Sequence, residues 1–140
     1  MEDDGRRREF AEGADRSPGA QAKRPLVLVV DDDEDIADSI GDVLRGGGYD
    51  VEQVGDGHAA LAAVARAKPG LVLLDWRLPN EPAGSALVRK LRDAIGHVPI
   101  VVLSADPQSL HEARAAAVSD YLPKPFDVND LLALVDEHCD

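Results

Sequence analysis

From residue 25 onward, continuous apolar runs alternate with amphipathic segments. Leu26–Val30 (LVLVV) is apolar at every position and runs directly into acids. Ile36, Ile40, Val43 and Leu44 then recur at helical spacing, and Gly46-Gly47-Gly48 stops that helix. Asp50–Val54 reads as a weaker strand. Ala60, Leu61, Val64 and Ala65 mark a second helix that ends before Pro69. Leu71–Leu74 (LVLL) is a third strand, followed by a loop containing Pro79 and Pro82. Leu87, Val88, Leu91 and Ile95 define a third helix, and Pro99–Ser104 (PIVVLS) a fourth strand. An alanine-rich helix is expected over roughly 108–117, a short fifth strand at Tyr121-Leu122, and a last helix striped by Val128, Leu131, Leu132 and Val135.

Five β–α units thus follow one another. Strands as uniformly apolar as LVLVV, LVLL and IVVL are buried on both faces, which calls for a parallel sheet covered by helices. The expected fold is a doubly wound α/β sandwich. Residues 1–24 carry no hydrophobic periodicity and read as a disordered tail, leaving 25–140 as the single domain.

Charge changes the picture more than composition does. The net charge is -12, yet residues 1–24 hold equal numbers of acids and bases, so the excess sits in the domain. A body that acidic repels phosphate backbones, so direct nucleic-acid binding is not expected. No apolar run has the length of a membrane span, and residues 1–10 lack the apolar stretch of a secretory signal. The single cysteine, Cys139, has no internal disulfide partner. The expectation is a cytoplasmic protein.

In doubly wound folds the site forms beyond the carboxyl ends of the strands. Here the first strand ends in Asp31-Asp32, the third in Asp75, the fourth in Ser104, and the fifth leads into Lys124. Clustered carboxylates resist ionising together unless a cation joins them. Hard oxygen donors of this kind suit Mg²⁺, which bridges carboxylate and phosphate. A neighbouring hydroxyl and amine can bind the remaining phosphoryl oxygens, giving a set of groups suited to phosphoryl transfer. Singly, an acid after a strand is more often a helix N-cap than a ligand, Ser104 could likewise cap, and Lys124 could be a solvated amine. Their convergence on one edge carries the reading.

Four segments, VLVVDDDEDI, VLLDWRLP, VVLSA and DYLPKPF, resemble the signature segments of response-regulator receiver domains, in order and over about residues 25–138. The resemblance implies a flavodoxin-like (βα)5 fold with strand order 2-1-3-4-5. It implies Asp75 as phosphoacceptor, and Asp31 and Asp32 as the acid pair of a Mg²⁺ site completed by Asp75 and the Arg77 backbone carbonyl. Ser104 matches the switch hydroxyl, Tyr121 the switch aromatic, and Lys124 the lysine that pairs with phosphate. Lys124-Pro125 matches a dipeptide usually cis in the family. The implied partners are a histidine kinase or histidine phosphotransfer protein, and a downstream protein or a second copy reading the face of the fourth helix, fifth strand and fifth helix. The implied role is a phosphoacceptor signalling domain rather than an enzyme of general turnover. With little sequence after the last helix, a stand-alone regulator or phosphorelay shuttle is expected, although a piece of a larger hybrid protein reads the same.

The sequence departs from the family pattern at three places. WRLPNEPAG is one residue longer than usual, Glu81 stands near a common hydrophobic position, and Ala117-Val118 replaces Gly-Ala. Arg77 and Asp106 occupy positions that tune dephosphorylation in the family, or are simply two exposed loop charges. A haloacid-dehalogenase-type phosphatase shares the early aspartate, the later hydroxyl and the lysine. Against it, Asp35 stands where that motif has Thr or Val, and no acidic pair follows the lysine in the right place. An EF-hand reading of Asp31, Asp33 and Asp35 fails on Ile36 at the glycine position. His58 and His111 are isolated and expected at the surface. A pseudo-receiver that never takes phosphate is opposed by the complete acid, hydroxyl and lysine set.

Overall fold

The apolar runs become the strands of one sheet. The computed structural model describes residues 25–139. Strands β1 (Leu26–Val30), β2 (Asp50–Val54), β3 (Leu71–Asp75), β4 (Ile100–Ser104) and β5 (Asp120–Pro123) alternate with helices. These are α1 (Glu34–Gly46), α2 (Gly57–Arg66), α3 (Gly84–Ile95), α4 (Pro107–Ala115) and α5 (Val128–His138). All pairings are parallel and the spatial order is β2-β1-β3-β4-β5, as expected. The proposed tail at 1–24 lies outside the described residues.

Alternate residues of each inner strand feed two separate cores, as the period of two requires. Leu28, Val30, Val72, Leu74, Ile100 and Val102 pack with Ala60, Val64, Leu87 and Leu91 of α2 and α3. Val27, Val29, Leu71, Leu73, Val101 and Leu103 pack with Ile40, Leu44, Leu131 and Val135 of α1 and α5. The edge strand β2 is only half-buried, which explains its mixed composition.

Among the described residues, four of the helices start on a capping aspartate, and only α3, with Ala83 at its N-cap, lacks a side-chain cap. Asp33 caps α1 by accepting the Asp35 and Ile36 N–H groups at 3.0 and 3.2 Å, and Asp56 caps α2 through Ala59 N–H at 2.8 Å. Asp106 and Asp127 do the same for α4 and α5. Helix α4 differs from the others in its grip. Its buried residues are Ser109 and Ala113, and the Ser109 hydroxyl is buried without a partner.

Two expectations need adjustment. Val128, placed on the buried stripe of the last helix, is 50% exposed, because it opens α5 beyond the edge of the core. The fourth helix begins at Pro107 and stops at Ala115; Ala117 follows with φ 60° and ends the helical path.

Candidate functional site

Strand register builds the site. Val30 pairs with Leu74 across β1 and β3, so Asp31 and Asp75 emerge side by side one residue further on. On the other side Ser104 pairs with Pro123, which delivers Lys124 to the same edge; the Lys124 N–H donates to the Ser104 carbonyl at 2.9 Å. Oxygens of Asp31, Asp32 and Asp75 lie within 4.8 Å of one another. Asp31 and Asp75 are buried, while Asp32 is exposed.

Each carboxylate is held locally. Asp31 accepts the Asp33 N–H at 2.9 Å and faces Lys124 Nζ at 3.1 Å with its other oxygen. Asp75 accepts the Arg77 N–H at 3.2 Å, with Lys124 Nζ 3.8 Å from its second oxygen. Burial pushes the Asp75 carboxyl up to about 6; Lys124 opposes this, and the neighbouring Asp31 and Asp32 charges add to it. Three hard oxygen donors that crowd one another in this way fit a divalent cation of the magnesium type. Asp33, part of the same acidic run, is spent on the α1 cap.

The hydroxyl and the aromatic sit one strand away. Ser104 is buried, and its Oγ accepts the Asp106 N–H at 3.1 Å. The half-buried Tyr121 directs its hydroxyl at the Ser104 and Asp106 carbonyls, at 3.2 and 3.3 Å. The Lys124-Pro125 bond is cis, and so is Glu81-Pro82 in the lengthened loop, which the sequence did not signal. His58 and His111 are exposed and apart from the site.

Sequence reasoning missed two contacts at the site mouth. The Arg77 guanidinium pairs with Asp106 across it, so these are not two independent charges. The Gln108 N–H, and then Arg77, hold the Asp106 carboxyl below the usual carboxylate range. Trp76, next to Asp75 and 4% exposed, donates from Nε1 to Glu112 Oε1 of α4 at 2.8 Å. Both contacts depend on where α4 lands, and no local pattern encodes that.

A doubly wound (βα)5 domain with a carboxylate cluster and an ammonium at its carboxyl edge defines a class of phosphoryl-handling α/β modules. Within that class, the chain belongs to the response regulator receiver domain family, whose sequence profile matches residues 27–136. The DNA-binding response regulator MtrA of Mycobacterium tuberculosis strain H37Rv is 42% identical over 114 residues, covering 80% of this chain and 49% of MtrA. The DNA-binding dual master transcriptional regulator RpaA of Synechocystis is 35% identical over 114 residues, covering 79% and 47%. The chain therefore spans about half the length of the curated relatives it matches. Among solved structures, Vibrio cholerae chemotaxis protein CheY4 superposes with a TM-score of 0.76 at 28% identity, covering 83% of this chain and 99% of that one. The receiver domain of NtrX from Brucella abortus gives 0.76 at 28%, covering 81% and 97%. Receiver domains bind Mg²⁺ in general, and Asp31, Asp32 and Asp75 are a donor set that can hold it. Among the described residues, no helix is long and apolar enough to cross a membrane.

Proposed function

We propose that this chain takes a phosphoryl group on Asp75 from a histidine kinase or histidine phosphotransfer protein, and that the modified domain switches a protein-contact surface. One observation carries the reading: Asp75 is buried at the strand edge between the Asp31–Asp32 pair and the Lys124 ammonium. In the reaction an Asp75 oxygen forms the new O–P bond as the donor's N–P bond breaks, and the leaving imidazole takes up a proton. Mg²⁺, held by Asp31, Asp32, Asp75 and the Arg77 carbonyl, would neutralise charge on the transferring group. Lys124 then pairs with one phosphoryl oxygen, and Ser104 turns its hydroxyl to another.

Phosphate adds nearly two charges and strong acceptors beside Ser104. If Ser104 moves toward it, the Asp106 N–H loses its acceptor and Tyr121 loses the fixed carbonyls that hold its hydroxyl. The surface of α4, β5 and α5 is then the place where a downstream protein or a second copy reads the change. We place the domain in the cytoplasm and treat it as a phosphoacceptor without general turnover. The DNA-binding names of its relatives belong to longer proteins, and the acidic body argues that this domain does not itself contact nucleic acid. Intact-mass analysis after acetyl phosphate and Mg²⁺ tests the assignment. One added phosphoryl group is expected, absent in Asp75→Asn and after chelation; undiminished labelling of Asp75→Asn would falsify it.

A further inference from the structure

The residue after Asp75 is not held by packing alone. The Trp76 ring lies in the core that contains Leu87, Val88 and Ala113, and Gly84, at φ +54°, brings the start of α3 against it. Its N–H is then bonded to the half-buried Glu112 carboxylate, 2.8 Å away on α4. The Trp76 backbone is fixed as well, its N–H donating to the Leu103 carbonyl of β4 at 3.1 Å. Trp76 is thus pinned at two points, one in the sheet and one on α4.

Helix α4 offers little apolar grip of its own, with Ser109 and Ala113 as its buried residues. A helix so lightly packed takes its position from directional polar ties. One tie is Asp106, its N-cap, paired with Arg77; the other is Glu112, bonded to Trp76. Both run to the two residues that follow Asp75.

We propose that Glu112 is a positioning residue of the phosphoacceptor site. It acts through the Trp76 indole to hold the backbone that presents Asp75 and Arg77, and it passes displacement of that backbone on to α4. This inference rests on the reading of Asp75 as acceptor. A carboxylate accepting from a buried indole makes a charge-assisted bond, directional enough to fix the ring. A shift of the Asp75–Arg77 backbone on phosphorylation must therefore stretch this bond or carry α4 with it.

The test compares wild type, Glu112→Gln, Glu112→Leu, Trp76→Phe and the Trp76→Phe/Glu112→Leu double variant in the full chain. Phosphorylation by acetyl phosphate and Mg²⁺ is followed by intact mass, and phosphate loss after the donor is removed. Glu112→Gln keeps an oxygen acceptor without the charge and should stay much nearer wild type than Glu112→Leu. Glu112→Leu and Trp76→Phe should each change the labelling rate or the phosphate half-life by about threefold to tenfold, the scale of one ordinary hydrogen bond, since only part of the lost bond acts on Asp75. The double variant should be no further from wild type than either single one, because both remove the same bond. Trp76 is the sole tryptophan, so its emission reports the contact directly. Its response to Mg²⁺ and acetyl phosphate should persist in Glu112→Gln and shrink in Glu112→Leu. If Glu112→Leu proves too unstable to assay, Trp76→Phe against Glu112→Gln decides the matter. Wild-type kinetics in Trp76→Phe and Glu112→Leu, or additive effects in the double variant, overturn the role of Glu112. A wild-type chain that takes no label overturns the acceptor reading itself.

Discussion

Lys124 is bonded to Asp31, its Nζ 3.1 Å from Oδ2, and stands farther, at 3.8 Å, from the proposed nucleophile. The ammonium thus stabilises the buried member of the acid pair and leaves Asp75 only partly neutralised. A cation bound to Asp31 would take over that duty and leave the lysine available to phosphoryl oxygens. The same ammonium would then serve two partners in turn.

Lys124→Ala should therefore destabilise the metal-free domain, because Asp31, 2% exposed, loses its cationic partner. The expected loss is about 1–3 kcal/mol, the cost of an unpaired buried polar group. Thermal melts with and without Mg²⁺ check this: magnesium should restore part of the difference. The variant should still label on Asp75, yet show smaller phosphorylation-dependent changes in amide exchange over residues 104–121. A variant as stable as wild type without Mg²⁺ contradicts the pairing.

Asp75 governs a second, pH-dependent term. Its carboxyl titrates at about 6 in the folded chain against 3.8 when unperturbed, so the folded state holds the proton more tightly. Stability from this group accordingly rises as pH falls from 7 through 6 and levels off below about 4. Asp75→Asn should flatten that slope and, at pH 7 without Mg²⁺, raise the melting temperature by several degrees. Melting curves between pH 4 and 8 for both chains test it; parallel profiles would show that the burial of Asp75 carries no such cost.

The lengthened loop after β3 rests on the start of α2. A Cβ built on Gly57 would lie 2.0 Å from the Pro82 carbonyl oxygen, a backbone atom that cannot step aside cheaply. Gly57→Ala should cost about 1–3 kcal/mol of stability, as overpacking does. Because the same loop begins at Trp76, labelling of Asp75 should slow too. Equal denaturant midpoints for the two chains would mean that the loop relocates freely.

Phosphorylation-dependent binding or self-association should map to α4, Tyr121 and α5. The groove between α4 and β5 is lined by Leu110, Ala113, Arg114 and Tyr121, and encloses about 620 Å³. Amide shifts on binding are expected over residues 110–117, at Tyr121 and over 130–138. Shifts confined to residues 35–45 of α1 would instead map a kinase contact and leave the output face unassigned.

The architecture was legible because each inner strand announces itself locally, as an apolar run ending in a polar group of distinct chemistry. Parallel pairing in register then carries Asp31, Asp75 and Lys124 to one edge without further information. Local pattern alone does not separate Asp33 from its neighbours; the resemblance singled out Asp31 and Asp32, and in the structure Asp33 caps α1 while those two lie beside Asp75. Val128 fits the helical stripe but borders an apolar groove with Ile36, Val43 and Phe126, so periodicity alone mistook its side for interior. The Trp76–Glu112 and Arg77–Asp106 contacts depend on the placement of a weakly packed helix. Such placement is a tertiary outcome, and nothing local in 105–117 specifies it.

The strand order has a consequence for the life history of the molecule. The acids come from β1 and β3, whereas the ammonium comes from β5, at the far edge and latest in synthesis. A chain still being made, or one whose outer strand has peeled away, holds clustered negative charge with no countercharge and no fixed cradle for a donor. Competence to respond to modification, rather than to accept it, would thus require the whole sheet to be assembled. Signal would flow only through finished molecules, and damaged copies would fall silent rather than misreport.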